Sequence, residues 1–320
     1  MDKPKVIVIC GPTASGKTGL SIELAKKING EIISADSMQI YKEMDIGTAK
    51  ATEKEMQGIK HYMINIIYPN ERYSVADFKK DAENSIEEIL NKNKIPILVG
   101  GTGLYIDSVV NRIEYNEIDT DLKYRGKLEK IAEKDGLEKL YKMALEIDKN
   151  ATEKISVNDK KRILRILEIY KSTGKTKTEL ELESRKKEPK YSFFIFGTEL
   201  ARENLYNKIN LRVDKMIEEG LIEEVEKITQ KYKDFPTAMQ GLGYKEIKEY
   251  LEGNCTKEEA IEKIKMETRR YAKRQITWFK RNKDIIWLNM EDKDALQNNL
   301  KIILEVIKWK QKIRKKLQKE

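Results

Sequence analysis

Lys5-Val-Ile-Val-Ile-Cys10-Gly11-Pro-Thr-Ala-Ser-Gly16-Lys17-Thr18 is the stretch that decides the fold class. Its first six residues are a short β-branched run that stops at a glycine, which predicts a buried parallel strand. A helical pattern starts at Lys17 and continues to about Lys27. Between strand and helix, residues 11–18 match G-x-x-x-x-G-K-[ST] in full. In that context the motif has a physical meaning: the glycines let backbone amides turn inward around phosphate oxygens, and the helix N-terminus adds a favourable dipole. Lys17 contributes a point charge and Thr18 a hydroxyl suited to Mg²⁺. Gly11, Pro12, Thr13, Ala14, Ser15, Gly16, Lys17 and Thr18 are therefore expected to hold a diphosphate. The loop does not choose among ATP, GTP and other diphosphate esters, because all present the same oxygens.

Outward from this loop, further apolar runs occur at 31–34, 62–67, 95–99, 191–196 and 285–288, with helical patterns between most of them. The expected fold is α/β, a P-loop NTPase-like parallel sheet core flanked by helices. Residues 105–190 show helical periodicity and charge alternation without a strand signal, which predicts an inserted all-helical lobe. The expected division is a core of 1–110 and 190–320 with an insertion of 111–189. Helical patterns resume over 204–228 and 257–280, with Phe235-Pro236 and Gly241-Leu-Gly243 as breaks.

At 320 residues and 39% hydrophobic content, the chain has ample material for a core. Cys10 and Cys255 are the two cysteines, far apart and without a CxxC, so neither a disulfide framework nor a zinc site is supported. No run approaches the roughly 18 apolar residues of a spanning helix, and the N-terminal apolar run is too short for a signal peptide. A cytoplasmic protein with no membrane partner, monomeric by default, is expected. The net charge of +9 is local. Residues 263–283 carry nine Lys/Arg against Glu267 alone, and 301–320 carry eight against two acids, leaving the rest of the chain net acidic.

The second predicted strand leads into Ser34-Ala-Asp36-Ser37-Met-Gln39, which puts a carboxylate at the strand end where open α/β sheets bind ligands. Asp36 there could take a proton from an attacking nucleophile, hold Mg²⁺ through water, or serve as a turn residue. Val99-Gly-Gly-Thr102-Gly103-Leu-Tyr105 is similarly placed, a strand end followed by glycines and a hydroxyl.

The ordered blocks GPTASGKT (11–18), SADSMQIYK (34–42), DIGTAK (45–50), YSVADF (73–78), VGGTGLY (99–105), NDKKRILR (158–165), RVDKM (212–216) and AMQGLGYKE (238–246) resemble the tRNA dimethylallyltransferase family. The resemblance implies transfer of a dimethylallyl group from dimethylallyl diphosphate to N6 of the adenosine immediately 3′ of the anticodon, in tRNAs reading codons that begin with U. It further implies that Asp36 is the general base, with Thr102 beside it. Lys17 and Arg212 would neutralise the departing diphosphate, with Thr18 at the Mg²⁺. The acceptor adenosine would be flipped out of the anticodon stem-loop into a channel entered by the prenyl diphosphate from the other end. Asp36, Ser37, Met38, Gln39, Thr102, Arg125, Lys161, Arg162, Ile163, Leu164, Arg165, Met239, Gln240 and Gly241 would line or flank the RNA path. Where the family shows His-His-Leu-Ile-Asp, this chain has His61-Tyr62-Met63-Ile64-Asn65, and His61 is expected to be structural.

In and just after the helical stretch 257–280, Arg269, Lys273 and Lys280, with Arg270, Arg274 and Arg281 one residue on, form a cationic stripe opposite Tyr271, Ala272, Trp278 and Phe279. Lys273 and Arg274 are expected to meet RNA phosphates. The competing readings are a small-molecule kinase using the same loop for ATP, an adenylate isopentenyltransferase acting on a free nucleotide, and a non-enzymatic RNA-binding module.

Overall fold

The computed structural model describes residues 3–111, 121–186 and 188–317. Along the chain run β1 (Lys5–Cys10), α1 (Lys17–Ile28), β2 (Gly30–Ser34), α2 (Glu53–Met56), β3 (His61–Tyr62), α3 (Val75–Asn91), β4 (Ile95–Gly100) and α4 (Gly103–Val110). Five helices follow: α5 (Leu122–Asp135), α6 (Leu137–Ile147), α7 (Lys149–Thr152), α8 (Lys160–Thr173) and α9 (Lys177–Lys186). The chain then continues through β5 (Ser192–Glu199), α10 (Arg202–Glu218), α11 (Leu221–Lys231), α12 (Tyr244–Leu251), α13 (Lys257–Phe279), β6 (Ile286–Asn289) and α14 (Ala295–Leu317).

The strands form one six-stranded sheet in the order β3-β2-β4-β1-β5-β6, and every pairing is parallel. The expected parallel core is therefore present. β1 sits centrally, with Ile7 opposite Ile97 on one side and Phe194 on the other, and Ile9 opposite Val99 and Phe196. Both faces of β1 are covered, which is why its sequence is a continuous apolar run rather than an alternating one. Ile7 and Ile9 pack with Leu20 and Leu24 of α1 and with Leu300 and Ile303 of α14. A second apolar cluster joins the loop after β2 to the C-terminal helices, through Tyr41, Met44, Val213, Leu221, Tyr244 and Ile264.

Because all strands point the same way, the loops after β1, β2, β4 and β5 leave from one edge. The corner after β4 is tightly packed. A side chain on Gly100 would collide with the Ala35 carbonyl, and one on Gly101 with the Gln275 amide. Glycine lets the loops after β2 and β4 lie against one another.

Two expectations are corrected. The predicted third strand, 62–67, is reduced to His61–Tyr62. Met63 and Asn65 adopt left-handed backbone, φ 62° and 55°, which takes the chain out of the sheet, and only an isolated bridge from Ile67 to Tyr41 follows. The single helix expected over 204–228 is broken into α10 and α11 at Gly220, whose φ of 100° no helix accommodates.

The chain divides into two compact units, 1–106 with 190–320, and 107–189. Of the expected insertion, 112–120 and 187 lie outside the described residues, as do 318–320 of the basic tail. The described part of the second unit is helical, as its periodicity predicted. Leu128, Leu140, Ala144, Ile163, Leu164 and Leu167 form its core. The buried Asp148 caps α7 by accepting the Ala151 N–H at 3.0 Å, and it secures α9 by accepting the Thr178 hydroxyl at 2.6 Å. Among the described residues no helix is long and apolar enough to cross a membrane.

Candidate active site

The loop after β1 is held by its own side chains and by neighbours distant in sequence. Ser15 donates from its hydroxyl to the Pro12 carbonyl at 2.7 Å and lies 2.6 Å from the Thr198 hydroxyl at the end of β5. Lys17 donates to the same Pro12 carbonyl at 2.5 Å, which folds its ammonium back over the loop. The Thr13 N–H donates to Gln275 of α13 at 2.9 Å, and Arg212 of α10 donates to the Thr13 hydroxyl at 3.2 Å. Burial and the neighbouring Arg212 guanidinium lower the Lys17 ammonium to about 8, against the pull of Asp36. Arg212 is lowered too, by burial, with Asp36 and Glu55 opposing. Two desolvated cations beside a helix N-terminus with no acid in its first turn are the groups that a polyanion would need.

Facing them is Asp36. Its carboxylate accepts the Met38 N–H at 2.9 Å, the local turn that aspartate favours just after a strand. Burial raises its pKa above the ordinary carboxylate range, although the Met38 N–H and Lys17 pull it down. The segment carrying it is fastened to the β4 corner, where the Thr102 hydroxyl accepts the Ser37 N–H at 3.1 Å and the Thr102 N–H donates to the Ala35 carbonyl at 3.2 Å. Gln39 turns inward, accepting from Ser34 at 2.9 Å and donating to the Thr48 carbonyl at 3.2 Å.

Two cavities open at this edge of the sheet. One, of about 300 Å³, is lined by Thr13 to Thr18 and also by the apolar Ile32, Met56, Ile64 and Val99. The other, of about 320 Å³, is lined by Met38, Met216, Leu242, Tyr244 and Arg274 among others. They share Thr13, Asp36, Thr48, Ala49, Arg212 and Tyr271. A polyanion in the first and a flat apolar group in the second would thus meet at one carboxylate and one guanidinium.

Comparison with known proteins supplies the family. The sequence profile of IPP transferase matches residues 39–282. The chain belongs to the IPP transferase family. Relatives of similar length include the tRNA dimethylallyltransferases of Acetivibrio thermocellus, 51% identical over 92% of this chain and 95% of that one, and of Halothermothrix orenii, 51% identical over 92% and 90%. Among solved structures, the full-length tRNA isopentenylpyrophosphate transferase of Bacillus halodurans is 41% identical, covers 99% of this chain and all of that one, and superposes with a TM-score of 0.73. A eukaryotic dimethylallyltransferase acting on tRNA is 34% identical over 95% of this chain and 80% of its own, with a TM-score of 0.78.

Within this IPP transferase the expected site residues fall into groups. Thr13, Ala14, Ser15, Gly16, Lys17 and Thr18 line the first cavity, whereas Gly11 and Pro12 are buried beneath the loop. Ser37, Met38, Gln240 and Gly241 line the second, and Gln39 lines the first instead. Thr102 lines neither and acts on Ser37. The Met239 side chain is buried in the apolar cluster beneath α12. His61, expected to be structural, lines the first cavity with Nδ1 2.9 Å from the Ile59 carbonyl, and burial lowers its pKa.

On α13, Lys273 and Arg274 are exposed, as are Lys280 and Arg281 just past its C-terminus. Arg269 is not part of the outward stripe, because it turns inward to donate to Asn210 of α10 at 2.6 Å. Tyr271, expected on the packing face, lines both cavities, and burial pushes its phenol up to about 12. In the second unit, Lys161 and Arg162 are exposed and Arg165 is half-buried, while Ile163 and Leu164 belong to the core. Arg125 grips the buried Glu168 through Nε at 2.7 Å and a terminal nitrogen at 3.1 Å.

Sequence reasoning missed Gln275, Tyr271 and Glu224. The Glu224 carboxylate accepts the N–H groups of Asp45, Ile46 and Gly47 at 2.9, 2.8 and 3.1 Å, and the Tyr244 hydroxyl at 2.5 Å. It thereby sets the loop whose Thr48 and Ala49 line both cavities. Lys50 closes the other end of that loop, donating to the Tyr41 carbonyl at 2.8 Å and to Asn65 at 2.6 Å.

Proposed function

We propose that this IPP transferase moves a dimethylallyl group from dimethylallyl diphosphate to N6 of the adenosine immediately 3′ of the anticodon, in tRNAs reading codons that begin with U. The observation that carries the proposal is the meeting of a phosphate-loop cavity and an apolar, aromatic-walled cavity at Asp36 and Arg212. A kinase needs its two substrates' oxygens in line at the phosphate. Here Ile32, Met56, Ile64 and Val99 in the wall of the first cavity suit a hydrocarbon attached to the diphosphate, and the Asp36 carboxylate lines both cavities.

In the proposed reaction the allylic C1–O bond of the donor breaks and a C–N6 bond forms. The N6 proton passes to Asp36 and diphosphate leaves. An aromatic amine is a weak nucleophile, and removing its proton as the bond forms avoids a cationic product. Desolvation suits Asp36 to that role by raising its proton affinity. Lys17 and Arg212 meet the charge that develops on the leaving group, which counts for more in a site shielded from water. Tyr271 and Met38 offer flat and adaptable surfaces to a base extruded from its stack.

A Mg²⁺ ion fits this arrangement. Thr18 lines the first cavity in the first turn of α1, and Mg²⁺ is usually held by one or two protein oxygens together with substrate phosphates and water. When bound it would neutralise diphosphate charge. The exposed cations of α13, and Lys161 and Arg162 of the second unit, are proposed to take RNA phosphates.

The test is purified protein with Mg²⁺, labelled dimethylallyl diphosphate and unmodified tRNA, AMP or no acceptor. Label is expected in tRNA at the adenosine 3′ of the anticodon. Label in AMP but not in tRNA, or ATP turnover without RNA, would overturn the reading.

A further inference from the structure

Gln275 takes no part in the chemistry above, yet among the described residues it is the one buried polar side chain of α13. It is 5% exposed, and its amide spans a gap between two loops. Its oxygen accepts the Thr13 N–H at 2.9 Å, and its nitrogen donates to the Gly101 carbonyl at 2.9 Å. The demands at the two ends are opposite, an N–H that needs an acceptor and a carbonyl that needs a donor. A primary amide meets both at once, which no carboxylate or hydroxyl of that reach does. The contact is also close, since a Cβ on Gly101 would occupy the space of the Gln275 amide. One helical turn back, the Tyr271 phenol meets both Thr102 and Gln275.

The two residues just before Gln275 face outward, whereas Ile276 after it packs inward on the cluster of Leu205, Ile209 and Ala272. Lys273 and Arg274 are exposed, and Arg274 also borders the second cavity. α13 is a single helix of 23 residues, so its outward cations and its inward amide move as one body. Fixing its outer face fixes Gln275, and Gln275 fixes the Thr13 amide in the diphosphate loop. The reverse path holds equally.

We propose that Gln275 is a positioning residue that couples RNA binding on α13 to diphosphate binding in the loop after β1. The inference rests on the function proposed above, in that α13 takes RNA phosphates and the loop takes a diphosphate. Coupling of this kind is reciprocal, so each ligand improves the affinity for the other by the same factor. The loop is then best formed when an acceptor is in place.

The test measures the Kd of inorganic pyrophosphate with Mg²⁺ by calorimetry, with and without a saturating unmodified anticodon stem-loop RNA. It uses the full chain, unaltered and with Gln275→Met or Gln275→Glu. Methionine keeps the length of the side chain and removes both hydrogen bonds. Glutamate keeps the acceptor for Thr13 and removes the donor to Gly101. In the unaltered chain RNA is expected to tighten pyrophosphate binding by about 5- to 10-fold, the lower part of the usual range for coupled sites. The ratio should fall below about 2 in Gln275→Met and recover in part in Gln275→Glu. A ratio in Gln275→Met equal to that of the unaltered chain, or no coupling in the unaltered chain, overturns the proposal. Thermal melting of each variant separates loss of coupling from loss of the fold, and Gln275→Glu carries the test if the methionine variant does not fold. Transfer of label to tRNA by the unaltered chain tests the underlying function independently.

Discussion

Replacing Glu224 with glutamine changes one oxygen to an amino group and leaves shape and volume almost untouched. The structure makes this a severe substitution. One carboxylate oxygen accepts the N–H groups of Asp45 and Ile46, and the other accepts the Gly47 N–H and the Tyr244 hydroxyl. Whichever way a glutamine amide is turned, its NH₂ faces two donors. The gentler orientation points it at Gly47 and Tyr244, because the hydroxyl can rotate and accept. The Gly47 N–H then loses its carboxylate acceptor and keeps only the Tyr244 oxygen, a cost of up to about 1–3 kcal/mol. The bonds from Asp45 and Ile46 survive without charge assistance, a further loss of about 1–2 kcal/mol together. A destabilisation of about 2–5 kcal/mol follows, a large part of the usual 5–15 kcal/mol of a folded domain. Urea unfolding should show the midpoint fall with the slope unchanged. Because Thr48 and Ala49 line both cavities and Gly47 lines the second alone, KM should rise for both substrates and at least as much for tRNA as for the donor. A stability change below about 1 kcal/mol would refute the four-donor account.

Asp36→Ala is expected to cut transfer by about 10²- to 10⁴-fold while tRNA affinity stays near its original value; normal single-turnover chemistry with lost binding would refute the general-base role. Lys17 should impose an alkaline limb. Its ammonium, lowered to about 8, loses its proton as pH rises through that value, so kcat/KM for the donor should fall above it, and Lys17→Arg should move the limb to higher pH. A rate constant flat to pH 9.5 in the unaltered chain would exclude a need for that charge. Lys273→Ala with Arg274→Ala should lower the slope of log affinity for tRNA against log salt by about 1–2; an unchanged slope counts against phosphate contact.

What the sequence disclosed follows from how local each signal is. β1, its loop and α1 were legible because strand, glycines and helix are contiguous, and each residue type does its work within a few positions of its neighbours. The apolar run at 62–67 misled for a physical reason. Ile64, Ile66 and Ile67 pack inward from a loop with left-handed residues, and composition does not separate an apolar strand from an apolar loop folded onto a core. The break at Gly220 was likewise hidden in a continuous helical pattern. Gln275 and Glu224 carried no local signal at all. Their partners lie 262 and about 178 residues away, at Thr13 and at the loop of Asp45 to Gly47, so only the assembled fold reveals what they hold. Arg269 shows the converse, since helical spacing placed it on the cationic stripe and its contact with Asn210 removes it.

The sheet order has a consequence for how the chain is made. β1 lies between β4, which ends at Gly100, and β5, which begins at Ser192. The ribosome therefore releases the chain through β4, roughly its first hundred residues, with β1 paired on one flank only, and the entire helical unit must emerge before the other flank can be covered. At synthesis rates of roughly 5–20 residues per second this leaves a bare β-branched edge for several seconds or longer. Such an edge is a template for pairing with other nascent chains. The fragment ending near residue 190 should accordingly be more prone to aggregation than the finished protein, and covering β1 with β5 is the step that ends the hazard.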